Sequence, residues 1–99
     1  MEVSFIRKKD LHILTAGTLT YTSDQRFTVL RRENPSMWTL QIKYPQISDS
    51  GTYECQINTE PKMSLSYTFN VVVMKEGRSV FVYFMASGHS LNLEFHCFD

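Results

Sequence analysis

Alternation with a period of two, broken by polar turns about every ten residues, most narrows the folds open to this chain. Val3, Phe5 and Arg7 alternate with Ser4, Ile6 and Lys8, and a second run, LHILT, follows the turn residue Asp10. TAGTLTYTS (15–23) is rich in threonine and suits a loose edge strand. RFTVLRR (26–32) runs into the turn cluster ENPS. Trp38, Leu40 and Ile42 then alternate with Thr39, Gln41 and Lys43. A loop, PQISDSG, leads to the strand TYECQIN, the turn TEPK and a longer strand, SLSYTFNVVV, with Phe69, Val71 and Val73 on one face. No helical period survives for more than a turn. An all-β sandwich or barrel is expected.

Composition excludes several functions. The 99 residues allow one domain, and 42% apolar with 20% charged content is that of a globular chain. Formal net charge is zero, so the clustered basic excess that phosphate backbones demand is lacking and no nucleic-acid partner is expected. No run approaches the ~20 apolar residues of a membrane span, and MEVSFIRKKD carries no apolar signal core. Asn34-Pro35-Ser36 has the proline that bars glycosylation.

Catalysis finds little material. His89, His96, Cys97 and Asp99 match no zinc spacing, and alternation sends His96 and Cys97 to opposite faces. Cys55 with His12 as a nucleophile pair fails because Cys55 falls in the expected core, where thiols are inert. No phosphate loop or paired-carboxylate motif occurs. No enzyme activity, metal, cofactor or small-molecule substrate is expected.

Asp49, Gly51, Tyr53 and Cys55 spell D-x-G-x-Y-x-C, with the tyrosine two residues before the cysteine. This resembles the E–F corner and strand F of variable-type immunoglobulin domains, where the tyrosine hydroxyl bonds back to the corner. The longer strings VSFIRKKDLHILTAGTLTYTSDQRFTVL and WTLQIKYPQISDSGTYECQI resemble the first immunoglobulin domain of the insect defective-proboscis-extension-response (Dpr) family. The resemblance implies a variable-type immunoglobulin β-sandwich with Phe5, Trp38, Leu40 and Cys55 facing inward. It also implies a salt bridge from Arg26 to Asp49. Three departures matter: Phe5 stands where the family has the strand C tryptophan, strands A and B with the first framework cysteine are missing, and the likeness stops after Val73.

Residues 1–73 are therefore expected to form a partial domain, strands C to G, with 74–99 an unmatched tail. A bare 2–73 fragment would be marginal, since losing the disulfide costs about 2–5 kcal/mol and each uncovered large side chain about 1.5–3 kcal/mol. The tail reads as a hairpin, SVFVYFM and SLNLEFHCF around Gly88, in which Leu91, Leu93, Phe95 and Cys97 alternate with polar residues. The favoured expectation is an unrelated segment with accidental alternation. The other is that it packs where strands A and B are lacking and brings Cys97 to Cys55.

For function, the resemblance implies a neuronal cell-surface adhesion module that binds Dpr-interacting proteins (DIPs) through its G-F-C-C′ sheet face. With Phe5 and Cys55 inward, alternation turns Ile6, Lys8, Gln56 and Asn58 outward, and Thr68 likewise on strand G. His12 and Leu14 on C′, with Tyr21 beyond, are expected to complete that patch. The alternative is a non-functional or purely structural fragment of a truncated transcript or partial gene model.

Overall fold

The computed structural model describes residues 2–31, 36–73, 79–81 and 92–98, with backbone alone at 72–73 and 79–81. The Asn34-Pro35 turn, Gly88, His89, Leu91 and Asp99 lie outside them. Among the described residues ten strands follow one another: β1 Val3–Arg7, β2 His12–Ala16, β3 Leu19–Thr20, β4 Phe27–Leu30, β5 Met37–Lys43, β6 Gly51–Ile57, β7 Met63–Phe69, β8 Val71–Val73, β9 Ser79–Phe81 and β10 Asn92–Phe98. A 3₁₀ turn, Ile47–Asp49, precedes β6.

Two sheets face each other. One has the order β3-β2-β1-β6-β7 and the other β10-β5-β4, while β8 and β9 pair separately. β5 alternates Trp38, Leu40 and Ile42 inward, and β10 sets Cys97, Phe95 and Leu93 directly beside them in antiparallel register. All six are buried, as are Val3, Phe5, Phe27, Tyr53, Cys55, Ile57 and Phe69. Phe95 is central, with ring centroids 5.3 Å from Tyr53 and Tyr67 and 5.4 Å from Phe69. Each such ring removed from water contributes about 1.5–3 kcal/mol.

The second half of the tail is therefore part of the sandwich. β10 lies antiparallel to β5, where a strand B would lie, and a Cys55–Cys97 disulfide ties it to β6 across the core. The physical reason is register: three inward apolar side chains at spacing two meet three on β5, which an unmatched segment would leave exposed. Of the expected hairpin's first run only Ser79–Phe81 lies within the described residues, and it pairs with β8.

The corner before β6 holds the sandwich's lower end. Tyr53 Oη donates to the Asp49 carbonyl at 2.8 Å. Arg26 grips the buried Asp49 carboxylate through two nitrogens, at 2.7 and 3.0 Å, and the Gln46 amide donates to the same group at 2.6 Å. Arg26 also bonds Asp24 at 2.8 Å, and these carboxylates raise its pKa, the Asp49 hydrogen bonds most. Burial holds the Tyr53 hydroxyl well above its usual range. Gly51 leaves the corner at φ +139°, a backbone state that side-chain-bearing residues rarely adopt.

Candidate functional site: the outer face of the five-stranded sheet

Rungs of the sheet are set by pairing. On β1 and β6, Ser4 faces Gln56 and Ile6 faces Glu54; on β6 and β7, Glu54 faces Ser66 and Thr52 faces Thr68. With Phe5, Cys55 and Phe69 buried, these residues occupy the opposite, outer face. Their polar groups are knitted together. Gln56 Nε2 donates to Glu54 Oε1 at 2.8 Å, Lys8 Nζ lies 3.8 Å from Glu54 Oε2, and the Thr52 and Thr68 hydroxyls are 2.9 Å apart.

β2 decides where the apolar part of this face lies. Its pairing with β1 jumps from Phe5↔Thr15 to Ile6↔Ile13, leaving Leu14 as an extra residue in a bulge. Leu14 and Thr15 are consequently both fully buried, although neighbours in a regular strand point opposite ways. The expectation that Leu14 belongs to the recognition patch is thus corrected: it is core. Ile13 replaces it, 49% exposed and directly beside the half-buried Ile6.

The other expected residues distribute as follows. Lys8, Gln56, Asn58 and Thr68 are exposed on or beside the outer face, and Tyr21 is exposed beyond β3. His12 sits opposite Arg7 and is half-buried, its Nε2 without a hydrogen-bond partner among the described residues. It lies nearer the Arg7 side of the sheet than the Ile6 row, because the bulge offsets the facing of β2. Arg7 Nη2 holds Asp10 at 2.9 Å beside it, which keeps the Asp10 carboxyl below its ordinary range.

Sequence reasoning missed Ile13 and Leu19. Leu19 pairs with Ala16, itself opposite Ser4, and is largely exposed. The available signal was the adjacent apolar pair Ile13-Leu14 within LHILT, which a pleated strand cannot turn to one face. The face thus carries an apolar strip, Ile6 and Ile13 on β1 and β2 with Leu19 on the edge strand β3, flanked by the amides, hydroxyls and opposite charges of β1, β6 and β7. Among the described residues no three His, Cys, Asp or Glu side chains converge as metal ligands, and the two cysteines are bonded to each other.

This sandwich, with its tyrosine corner and buried inter-sheet disulfide, belongs to the immunoglobulin V-set domain family, whose model matches residues 7–74. Within that family it is similar to the first immunoglobulin domain of Dpr proteins. The Dpr1 first domain, solved bound to the DIP-eta first domain, is 78% identical over 70% of this chain and 65% of that one, with a TM-score of 0.64. Dpr2, solved as two domains in complex with DIP-Theta, is 61% identical over 75% of this chain and 34% of that one, with a TM-score of 0.69. The Zwei Ig domain protein zig-8 of Caenorhabditis elegans is 37% identical over 57 residues, 58% of this chain and 21% of that protein. The chain thus spans about a fifth of that curated relative. Among the described residues, no helix is long and apolar enough to cross a membrane.

Proposed function

We propose that this chain is the recognition module of a cell-surface adhesion protein and binds the immunoglobulin domain of a DIP-type partner, sheet face on sheet face. It has no catalytic role in this reading. The observation that carries it is the adjacent pair Ile6 and Ile13, two β-branched apolar side chains in register on the outer face beside the polar groups of β6. Exposed apolar side chains scattered singly need no explanation, whereas a contiguous pair backed by Leu19 is a surface to be covered. The similarity to Dpr1, whose first domain is bound to that of DIP-eta, supplies the partner class. An extracellular setting accords with the disulfide.

Surface plasmon resonance against the DIP-eta first domain tests this. Ile6→Asp puts a charge into the apolar strip and should weaken binding at least about 30-fold, the effect of losing a ~2 kcal/mol hot spot, while circular dichroism stays unchanged. No binding by the unsubstituted chain, or undiminished binding by Ile6→Asp, would refute the proposal.

A further inference from the structure

At one end of the outer face the sheet opens into a cavity of about 230 Å³, lined by Glu2, Ser4, Gln56, Ile57, Asn58 and Lys62. Its volume equals that of about seven or eight bulk waters at ~30 Å³ each, enough for one long side chain. The frame is built from backbone. The Asn58 amide donates to the Glu2 carbonyl at 2.9 Å, and the Thr59 hydroxyl donates to the Pro61 carbonyl at 2.7 Å within the turn that carries Lys62. Glu2 is laid against the β2–β3 turn, so that a Cβ on Gly17 would come within 3.2 Å of its carboxylate oxygen.

The groups around the opening are uncommitted. Among the described residues, the side chains of Glu2, Ser4, Asn58 and Lys62 make no hydrogen bond or ion pair with the protein, and Gln56 uses only its NH₂ group, toward Glu54. The cavity therefore offers a carboxylate, an ammonium, a hydroxyl and two carboxamides around Ile57. A cationic guest would meet Lys62 and an anionic guest would meet Glu2, each losing to like-charge repulsion what it gains from the other. A neutral group that both donates and accepts can pair with the carboxylate side and the ammonium side at once, without like-charge repulsion from either. Position points the same way: Ser4 and Gln56 form the rung next to Ile6 and Glu54, so the opening is continuous with the apolar strip.

We propose that this cavity is a specificity socket which receives one long carboxamide side chain, of the glutamine class, from the facing immunoglobulin domain. The socket rests on the recognition reading above and names a second contact within it. A buried donor and acceptor pair discriminates strongly because a partner with an apolar residue there leaves the lining groups dry and unpaired.

The test measures DIP-eta first-domain binding by plasmon resonance for Ser4→Tyr, which fills the socket, and Lys62→Glu, which removes its ammonium donor. Lys43→Glu, an exposed site on the other sheet, makes the same charge change and serves as control. Both socket variants should bind at least about tenfold more weakly with unchanged thermal unfolding, and Lys43→Glu should bind normally. The Ser4→Tyr penalty should be the same at about 50 mM and about 500 mM salt, since a neutral guest is not screened. Socket variants that bind within twofold while Ile6→Asp abolishes binding would overturn the socket and leave the recognition reading standing. A penalty that collapses in high salt would identify a charged guest, and one that vanishes with an enzymatically deglycosylated partner would identify a sugar; either overturns the assignment.

Discussion

Breaking the Cys55–Cys97 bond tests the central architectural feature, a C-terminal strand serving as the second wall of the core. The crosslink joins residues 42 positions apart. Loop closure at that length restricts the unfolded chain by about 4 kcal/mol at 25 °C, from an entropy of roughly −2.1 − 1.5R ln n. For a domain of this size that is a large part of a total near 5–15 kcal/mol. The single tryptophan, Trp38, is buried and sits in register with Cys97, so its fluorescence reports on the β5–β10 seam. With a urea slope of about 1–2 kcal/mol per molar, a Cys55→Ala/Cys97→Ala variant should unfold about 2–4 M earlier than the oxidised protein. Dithiothreitol on the unsubstituted chain should give the same shift. Two free thiols in natively purified protein, or a midpoint moved by less than about 0.5 M in both experiments, would show that β10 is not held across the core as described.

Two further expectations bear on the corner and the face. Arg26→Gln, which uncouples the buried Asp49 carboxylate, should cost about 2–3 kcal/mol by chemical denaturation at neutral pH. The hydrogen bonds from Arg26 also hold the Asp24 carboxyl below its ordinary range. A depressed carboxyl adds stability above its unfolded value near 4 and loses it as pH falls through the folded one, so the native chain should weaken below about pH 4 and Arg26→Gln should flatten that slope. Finally, Leu14→Asp should unfold the domain, whereas Ile13→Asp should leave its melting temperature within a few degrees and weaken partner binding; the reverse pattern would place the β2 bulge elsewhere.

How much of this was legible beforehand depends on the range of the interaction. The corner motif from Asp49 to Cys55 is written in seven consecutive residues, and two of its bonds, Tyr53 to Asp49 and Gln46 to Asp49, join near neighbours, while the Arg26 grip on Asp49 reaches across 23 positions. The inward rows of β1, β5 and β6 follow from a two-residue period that any pleated strand must obey. Ile6 was readable for the same reason. The β2 bulge was not, because an extra residue in a strand exists only relative to the partner it is paired with, and LHILT alone does not say which residue the partner skips.

The tail is the larger case. That SLNLEFHCF would be a strand with Phe95 and Cys97 on one side was implicit in its alternation, but alternation names a face without naming what it faces. Pairing of β10 with β5 joins residues 49 to 61 positions apart, and only the mutual fit of their inward side chains, with Cys55 waiting opposite, selects it. The socket at Glu2 and Lys62 likewise arises where the chain's beginning meets the turn after β6, a proximity made by the sheet. Local period and corner chemistry, then, determined the fold class and the outward facing of Ile6 from sequence alone. The tertiary structure decided everything that depends on which strand lies beside which, because those choices are settled by burial shared between distant segments and leave no mark in either segment by itself.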